Sequence, residues 1–298
     1  MNKIIIDVNH ITKSYGPNKG VFNLSFQVNQ GEVFGFIGPN GAGKTTTIRQ
    51  LLGFIQPEEG SCSILGMDSR NDASMIQESL GYLPGEISFF DQMTGQSFLD
   101  LLCELRHLND LSYRKHLVTY FDLDTNGKIR KMSKGMKQKL ALVAAFMHEP
   151  QVLILDEPTS GLDPLMQSKF VELILEEKKK GKTILMSSHS FEEIERTCDR
   201  AGIIKEGVLV ALEDIHHLKQ SQRKAYRIRF KYENEAKAFE IEGFDSTPYN
   251  PLEYDVTISG DVNPLIKSLG KYVIESLEIK IQSLEEIFMD YYKGSENQ

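Results

Sequence analysis

The sequence predicts an α/β domain with a helical insert and a small C-terminal α+β appendage, and three observations predict it. A strand-like run, Glu32 to Ile37, feeds a glycine cluster and then a helix-like run. Two short apolar runs, Val152 to Leu155 and Thr183 to Met186, flank a charged helical segment, which is a β-α-β unit of a parallel sheet. Past Gln220 the composition shifts to alternating strands. With 298 residues, 40% hydrophobic and 26% charged, the chain is long enough for one large domain and a smaller one.

In chain order, Ile4 to Val8 and Val21 to Val28 are rich in β-branched and aromatic residues and read as strands. From Gly43 onward, Ile48, Leu51 and Leu52 recur at helical spacing. The helical insert is expected over 88–147, with Phe98, Leu101, Leu102 and Leu105 on one face and a second helical run from Lys139 to Met147. The helix of the β-α-β unit is expected from Ser168 to Lys180, and Glu176 to Lys182 reads as its solvated face. The appendage is expected to hold strands such as Tyr226 to Phe230, turns at Thr247-Pro248 and Asn263-Pro264, and a loop pair at His216-His217 before it. It closes on an amphipathic helix, Ser283 to Tyr292, whose Leu284, Ile287, Phe288 and Tyr291 share a face. The domains are therefore expected at 1–218 and 219–298.

Charge and cysteine usage narrow the function classes. A net charge of −8 and a pI near 5.5 provide no global basic field, so nucleic acid is not an expected partner. Cys62, Cys103 and Cys198 are odd in number and far apart, which reads as thiols in a reducing compartment rather than disulfides or a zinc site. Met1 to Asp7 is too short and polar for a secretory signal, and no run reaches the apolar length of a membrane helix. If the protein works at a membrane, another chain must span it.

Two motifs carry chemistry. Gly38-Pro39-Asn40-Gly41-Ala42-Gly43-Lys44-Thr45 matches the pattern G-x-x-x-x-G-K-[ST] in full, at a strand-to-helix junction. Glycines let successive backbone N–H groups face inward, the helix N-terminus adds positive potential, Lys44 reaches the β- and γ-phosphates of ATP, and the Thr45 hydroxyl ligates Mg²⁺. Thr46 follows in the same first helical turn. The second motif is Val152-Leu153-Ile154-Leu155-Asp156-Glu157, a strand ending in two acids. Beside a phosphate loop, Asp156 suits the Mg²⁺ shell, and Glu157 suits a group that orients or deprotonates the attacking water.

The order of these motifs resembles the ATP-binding cassette family, the nucleotide-binding subunits of ABC transporters, over residues 3–218. The resemblance implies a P-loop NTPase cassette with a mixed sheet core and a helical subdomain. Tyr15 falls where that family stacks an aromatic ring on adenine, Ser160-Gly161-Leu162-Asp163 is similar to its D-loop, and His189 matches its γ-phosphate-sensing histidine. Met132-Ser133-Lys134-Gly135-Met136 aligns with the family's Leu-Ser-Gly-Gly-Gln motif and keeps only Ser133 and Gly135, the hydroxyl and the open N–H that can meet a γ-phosphate. Where many relatives have a Mg²⁺-touching glutamine, this sequence has Gly85, so either Glu86 takes that role or the contact is missing.

In this family each ATP lies between the phosphate loop of one cassette and the serine motif of another. The resemblance thus implies a second cassette, a copy or a paralogous subunit, and a transmembrane permease subunit whose coupling helix docks near the insert and the Gly85-Glu86 turn. An exposed apolar patch at Phe89 and Phe90 would suit such docking, although buried aromatics are the simpler reading. The segment Ser-Lys-Gly-Met-Lys-Gln resembles the variant of bacterial drug, bacitracin and antimicrobial-peptide exporters, including those of the phenol-soluble-modulin kind. The expectation is a peripheral ATPase at the cytoplasmic face of a membrane that energises export. Import is a weaker variant of the same reading. The alternative is a soluble cassette ATPase acting on the ribosome or DNA, but those proteins usually hold two cassettes or a long heptad seam, and neither is present.

Overall fold

A computed structural model describes residues 3–221, 224–258, 261–281 and 283–288. The chain divides into two compact units, Met1–His216 and His217–Gln298. The first runs through β1 (Ile4–Gly16), β2 (Lys19–Asn29), β3 (Val33–Ile37), α1 (Lys44–Leu51), β4 (Glu59–Ile64), β5 (Met67–Asp68), α2 (Ala73–Glu78) and β6 (Leu80–Leu83). It continues with α3 (Gly95–Leu105), α4 (Ser112–Tyr120), α5 (Lys134–Phe146), β7 (Val152–Asp156), α6 (Pro164–Lys179), β8 (Thr183–Ser188), α7 (Phe191–Thr197), β9 (Arg200–Lys205) and β10 (Val208–Asp214).

Two sheets enclose the core of this unit. One is antiparallel in the order β2-β1-β4-β5; the other runs β10-β9-β3-β8-β7-β6, parallel except for β10 at its edge. Every residue of β3, β7 and β8 is buried, as expected of parallel strands covered on both faces. Phe26 of β2 stacks on Phe34 of β3 with centroids 5.0 Å apart, joining the sheets beside Ile48 and Leu51 of α1. The three cysteines are free and buried.

Several local expectations need correction. In α3 the buried residues are Gly95, Leu99 and Cys103, while Leu105 is 68% exposed, so the inward stripe is rotated from the one read in the sequence. The α6 helix begins at Pro164, capped by Asp163, rather than at Ser168. Its C-terminal charges are not all solvated: Glu177 is fully buried, accepting from the Tyr113 hydroxyl at 2.6 Å and pairing with Lys180 and Lys182. A buried acid with three donors is the condition under which a charge tolerates burial. Phe89 and Phe90 divide the two readings offered for them, since Phe90 is 64% exposed and Phe89 meets Phe98 edge-on at 5.1 Å.

The second unit begins within α8 (Ile215–Ser221), the helix in which His216 and His217 lie instead of in a loop. It contains β11 (Lys224–Phe230), α9 (Glu233–Glu240), β12 (Ser246–Asn250), β13 (Glu253–Ile258), α10 (Asn263–Leu269) and β14 (Ile274–Ile281). The strand order β12-β13-β11-β14 with this β-α-β-β-α-β sequence is the split βαβ arrangement, all pairs antiparallel. Ala236, Phe239, Leu265 and Leu269 of the helices pack on Tyr226, Ile228, Phe230 and Val256. Thr247-Pro248 is not a turn but part of β12, an edge strand, where proline's missing N–H is tolerated. Asn263-Pro264 opens α10 with proline in the first turn. In the closing segment Leu284 and Phe288 are buried, and Tyr291 lies outside the described residues.

Candidate nucleotide site

The site begins where β3 ends. Gly41 and Gly43 adopt φ of +83° and +111°, in the left-handed region that favours glycine, which turns the chain sharply into α1. No side chain caps α1 and its first turn holds no acid, so the N–H groups and positive potential of that helix start stay available to an anion. Lys44 is 5% exposed; its Nζ donates to the Gly38 carbonyl at 2.6 Å and the Pro39 carbonyl at 3.3 Å. Tyr15, Lys19, Gly20, Asn40, Thr46 and Glu157 line, with the phosphate loop, a cleft of about 430 Å³. The Tyr15 ring is 55% exposed there.

Parallel pairing brings the acid-ended strand beside this loop. Asp156 is fully buried, accepting from the Thr45 hydroxyl at 2.7 Å and from the Ser187 hydroxyl at 2.5 Å, one on each oxygen. Ser187 sits opposite Asp156 in the β7–β8 register and takes the Glu157 N–H on its own oxygen at 3.0 Å. Glu157 holds a left-handed φ of +51°, a strained backbone for a residue with a Cβ, of the kind that gathers at functional sites. Its two oxygens diverge, Oε1 standing 3.2 Å from Lys44 Nζ and Oε2 standing 2.5 Å from His189 Nδ1. An ionised carboxylate only accepts, so the shared proton sits on Nδ1.

Ser133, Gly135 and Asp163 are not among the residues lining that cleft. Ser133 caps α5, accepting from Met136 N at 3.2 Å, and Asp163 caps α6, accepting from Met166 N at 3.0 Å. A Cβ at Gly135 would fall 2.9 Å from the Gly161 carbonyl, so this turn admits only glycine without a shift. Gly85 backs directly onto the site, since a Cβ there would lie 3.0 Å from Asp156 Oδ2. Glu86 is exposed and, among the described residues, makes no hydrogen bond or ion pair.

Sequence reasoning missed Ser187, which holds both acids at once, and Gln138, whose amide donates to the Pro158 carbonyl at 2.7 Å and ties α5 to the turn after Glu157. The first stood unassigned within Met186-Ser187-Ser188-His189, and only strand register reveals its role. Gln138 closes the Ser-Lys-Gly-Met-Lys-Gln segment, but its tie to Pro158 shows only in the fold.

A glycine cradle with its lysine at a helix start, beside a buried aspartate and a glutamate at a strand end, defines a P-loop nucleoside triphosphatase. A family model described as ABC transporter matches residues 21–160. The bacitracin transport ATP-binding protein BcrA of Bacillus licheniformis is 34% identical over 301 residues, covering 97% of this chain and 98% of that protein. A solved ATP binding subunit of an ABC transporter superposes with a TM-score of 0.67 at 31% identity, covering 72% of this chain and 92% of its own. The dimeric bacterial cassette MJ0796 shares the fold at a TM-score of 0.64 and 20% identity, covering 71% of this chain and 99% of its own. The chain belongs to the ABC transporter family, as an ATP-binding and ATP-hydrolysing subunit.

Proposed function

We propose that this subunit energises export of a drug, antibiotic or amphipathic peptide through a separate transmembrane subunit, working peripherally at the cytoplasmic face of a membrane. The observation that carries this reading is the 97% coverage by the bacitracin transport protein, which extends through the C-terminal unit as well as the cassette. Among the described residues no helix is long and apolar enough to cross a membrane, in keeping with a partner chain that does so.

A magnesium ion arriving with ATP meets residues that fit it. Thr45 and Asp156 present hard oxygen donors 2.7 Å apart at the mouth of the phosphate loop. Among the described residues no group of three or more His, Cys, Asp or Glu side chains is disposed to hold a metal alone, which suits an ion that keeps water and phosphate oxygens in its shell. Held by Thr45 and Asp156, magnesium would supply positive charge that offsets the negative charge of the phosphates. Glu86, the remaining side chain at the Gly85 turn, is assigned to complete that shell.

The chain's own groups divide the remaining work. Lys44 exchanges the Gly38 carbonyl and Glu157 for phosphate oxygens, and Tyr15 offers its exposed ring to the adenine. Release from Lys44 frees Glu157 Oε1 to orient and deprotonate water, while His189 holds Oε2. Ser133 and Gly135 serve the γ-phosphate of a second cassette, with the Asp163 turn at that contact. ATP is thereby sandwiched in a homodimer or paralogous heterodimer whose closure and reopening drive the membrane subunit.

Reconstitution with a transmembrane protein that co-purifies with the chain tests the reading. ATP hydrolysis by the full chain should rise several-fold in proteoliposomes holding that protein and stay unchanged with ribosomes or DNA. Stimulation by ribosomes or DNA alone would overturn it.

A further inference from the structure

His189 is 68% exposed, so packing does little to fix its ring against Glu157. What does fix it lies underneath. Ser190 caps α7, its hydroxyl accepting from Glu193 N at 3.3 Å, and Glu193 occupies the third position of that helix. In an ordinary capping box the Glu193 carboxylate would return to Ser190 N–H. Here a second hydroxyl is interposed: Ser188 Oγ donates to Glu193 Oε2 at 2.5 Å and accepts from Ser190 N at 3.0 Å. One carboxyl thus grips the residues on both sides of His189.

The other Glu193 oxygen has no hydrogen bond, although the carboxyl is 7% exposed. The residue lines a cavity of about 280 Å³ together with Thr159, Ser160, Gly161, His189 and Ser190, between the turn that follows Glu157 and the start of α7. Burial pushes the Glu193 carboxyl up to about 7, a shift that the Ser188 hydroxyl opposes and the nearby Glu157 carboxylate adds to. Arg196 and Glu192, also on the cavity wall, stand 3.6 Å apart as a pair of their own. A carboxyl buried at this cost without a cationic partner is poorly explained by helix capping, which an unburied box performs equally well.

We propose that Glu193 is a positioning residue: through Ser188 and Ser190 N–H it sets the backbone on both sides of His189, and so sets where the imidazole meets Glu157. The proposal rests on His189 holding Glu157 during turnover, as the functional reading has it. Because the effect runs through His189, it falls on turnover rather than on ATP binding, which the phosphate loop controls.

The test measures kcat and KM for Mg-ATP in the full chain, with thermal unfolding as a control for folding. Glu193→Ala should lower kcat by about tenfold or more while KM stays within about twofold. Glu193→Gln, whose amide oxygen still accepts from Ser188, should restore kcat to within about twofold of the parent. Glu193→Ala combined with His189→Ala should be no slower than His189→Ala alone, since both remove one function. If Glu193→Ala is unfolded at the assay temperature, Ser188→Ala cuts the same link by one hydroxyl and should show the same split. Full activity of Glu193→Ala or Ser188→Ala beside an inactive His189→Ala overturns the proposal alone, as does additivity in the double variant or a loss carried by KM. Full activity of His189→Ala overturns the functional reading of His189 and the proposal with it.

Discussion

Lys44 Nζ stands 3.2 Å from Glu157 Oε1, an ion pair that ties the phosphate loop to the end of β7. The pair is not an aligned hydrogen bond, because Glu157 Oε1 has no hydrogen-bond partner. A triphosphate carries several charges and many acceptor oxygens, so it outcompetes one carboxylate for this ammonium. On the proposed function, nucleotide arrival and release of Glu157 from Lys44 are therefore one event.

Lys44→Ala removes the cation proposed to meet the β- and γ-phosphates. ATP hydrolysis should fall at least ~100-fold, with nucleotide affinity falling alongside it. Equilibrium binding of a fluorescent ATP analogue and a phosphate-release assay check both. Parent-like uptake and turnover by this variant would sink the phosphate-loop assignment.

Glu157→Gln keeps the side-chain shape while removing the carboxylate proposed as the base. ATP binding should persist, turnover should drop by about 100-fold to 10,000-fold, and a nucleotide-sandwiched dimer should accumulate. Gel filtration with Mg-ATP reads the dimer directly; a species that stays monomeric there speaks against the shared site.

The Gly85 turn separates two ideas about magnesium. A side chain at 85 would press on Asp156, so Gly85→Gln should cost about 1–3 kcal/mol of stability rather than add a metal ligand. Glu86→Ala should instead raise the Mg²⁺ concentration for half-maximal hydrolysis several-fold. An unchanged Mg²⁺ titration for Glu86→Ala removes Glu86 from the metal shell.

His148 sets an acid limit on stability. Its Nε2 meets the Leu80 carbonyl at 3.0 Å, and burial, aided by the nearby Arg106 charge, pushes its pKa down from 6.5 to about 4. The folded chain holds this ring neutral, whereas the unfolded chain protonates it near 6.5. Its contribution is thus complete above 6.5 and lost as the pH falls toward 4, by roughly 3 kcal/mol in all. Urea midpoints at about pH 7 and pH 5 should diverge more for the parent than for His148→Gln. Parallel losses in the two would show that other groups set the limit.

Legibility differed between neighbouring residues for physical reasons. The cradle from Gly38 to Thr45 was readable because its geometry depends on consecutive residues: glycine torsions, one helix start and one lysine. The strand ending in Asp156-Glu157 was readable from apolar residues that two-sided burial demands. The buried face of α3 was misread because several rotations satisfy its apolar spacing, and the element packed beside it selects among them. Glu177 was misread because a charge on a helix looks solvated until Tyr113, sixty-four residues away, and two lysines are brought to it.

By itself the sequence determined which groups could grip a triphosphate, since those lie within a few bonds of one another and owe their disposition to local torsions. Tertiary structure alone decided how they are aimed. Register between β7 and β8 puts Ser187 on Asp156, and the fold of that edge carries His189 to Glu157. Such contacts join residues on different elements, and hydrogen bonds reach only about 3 Å, so no local pattern can encode them.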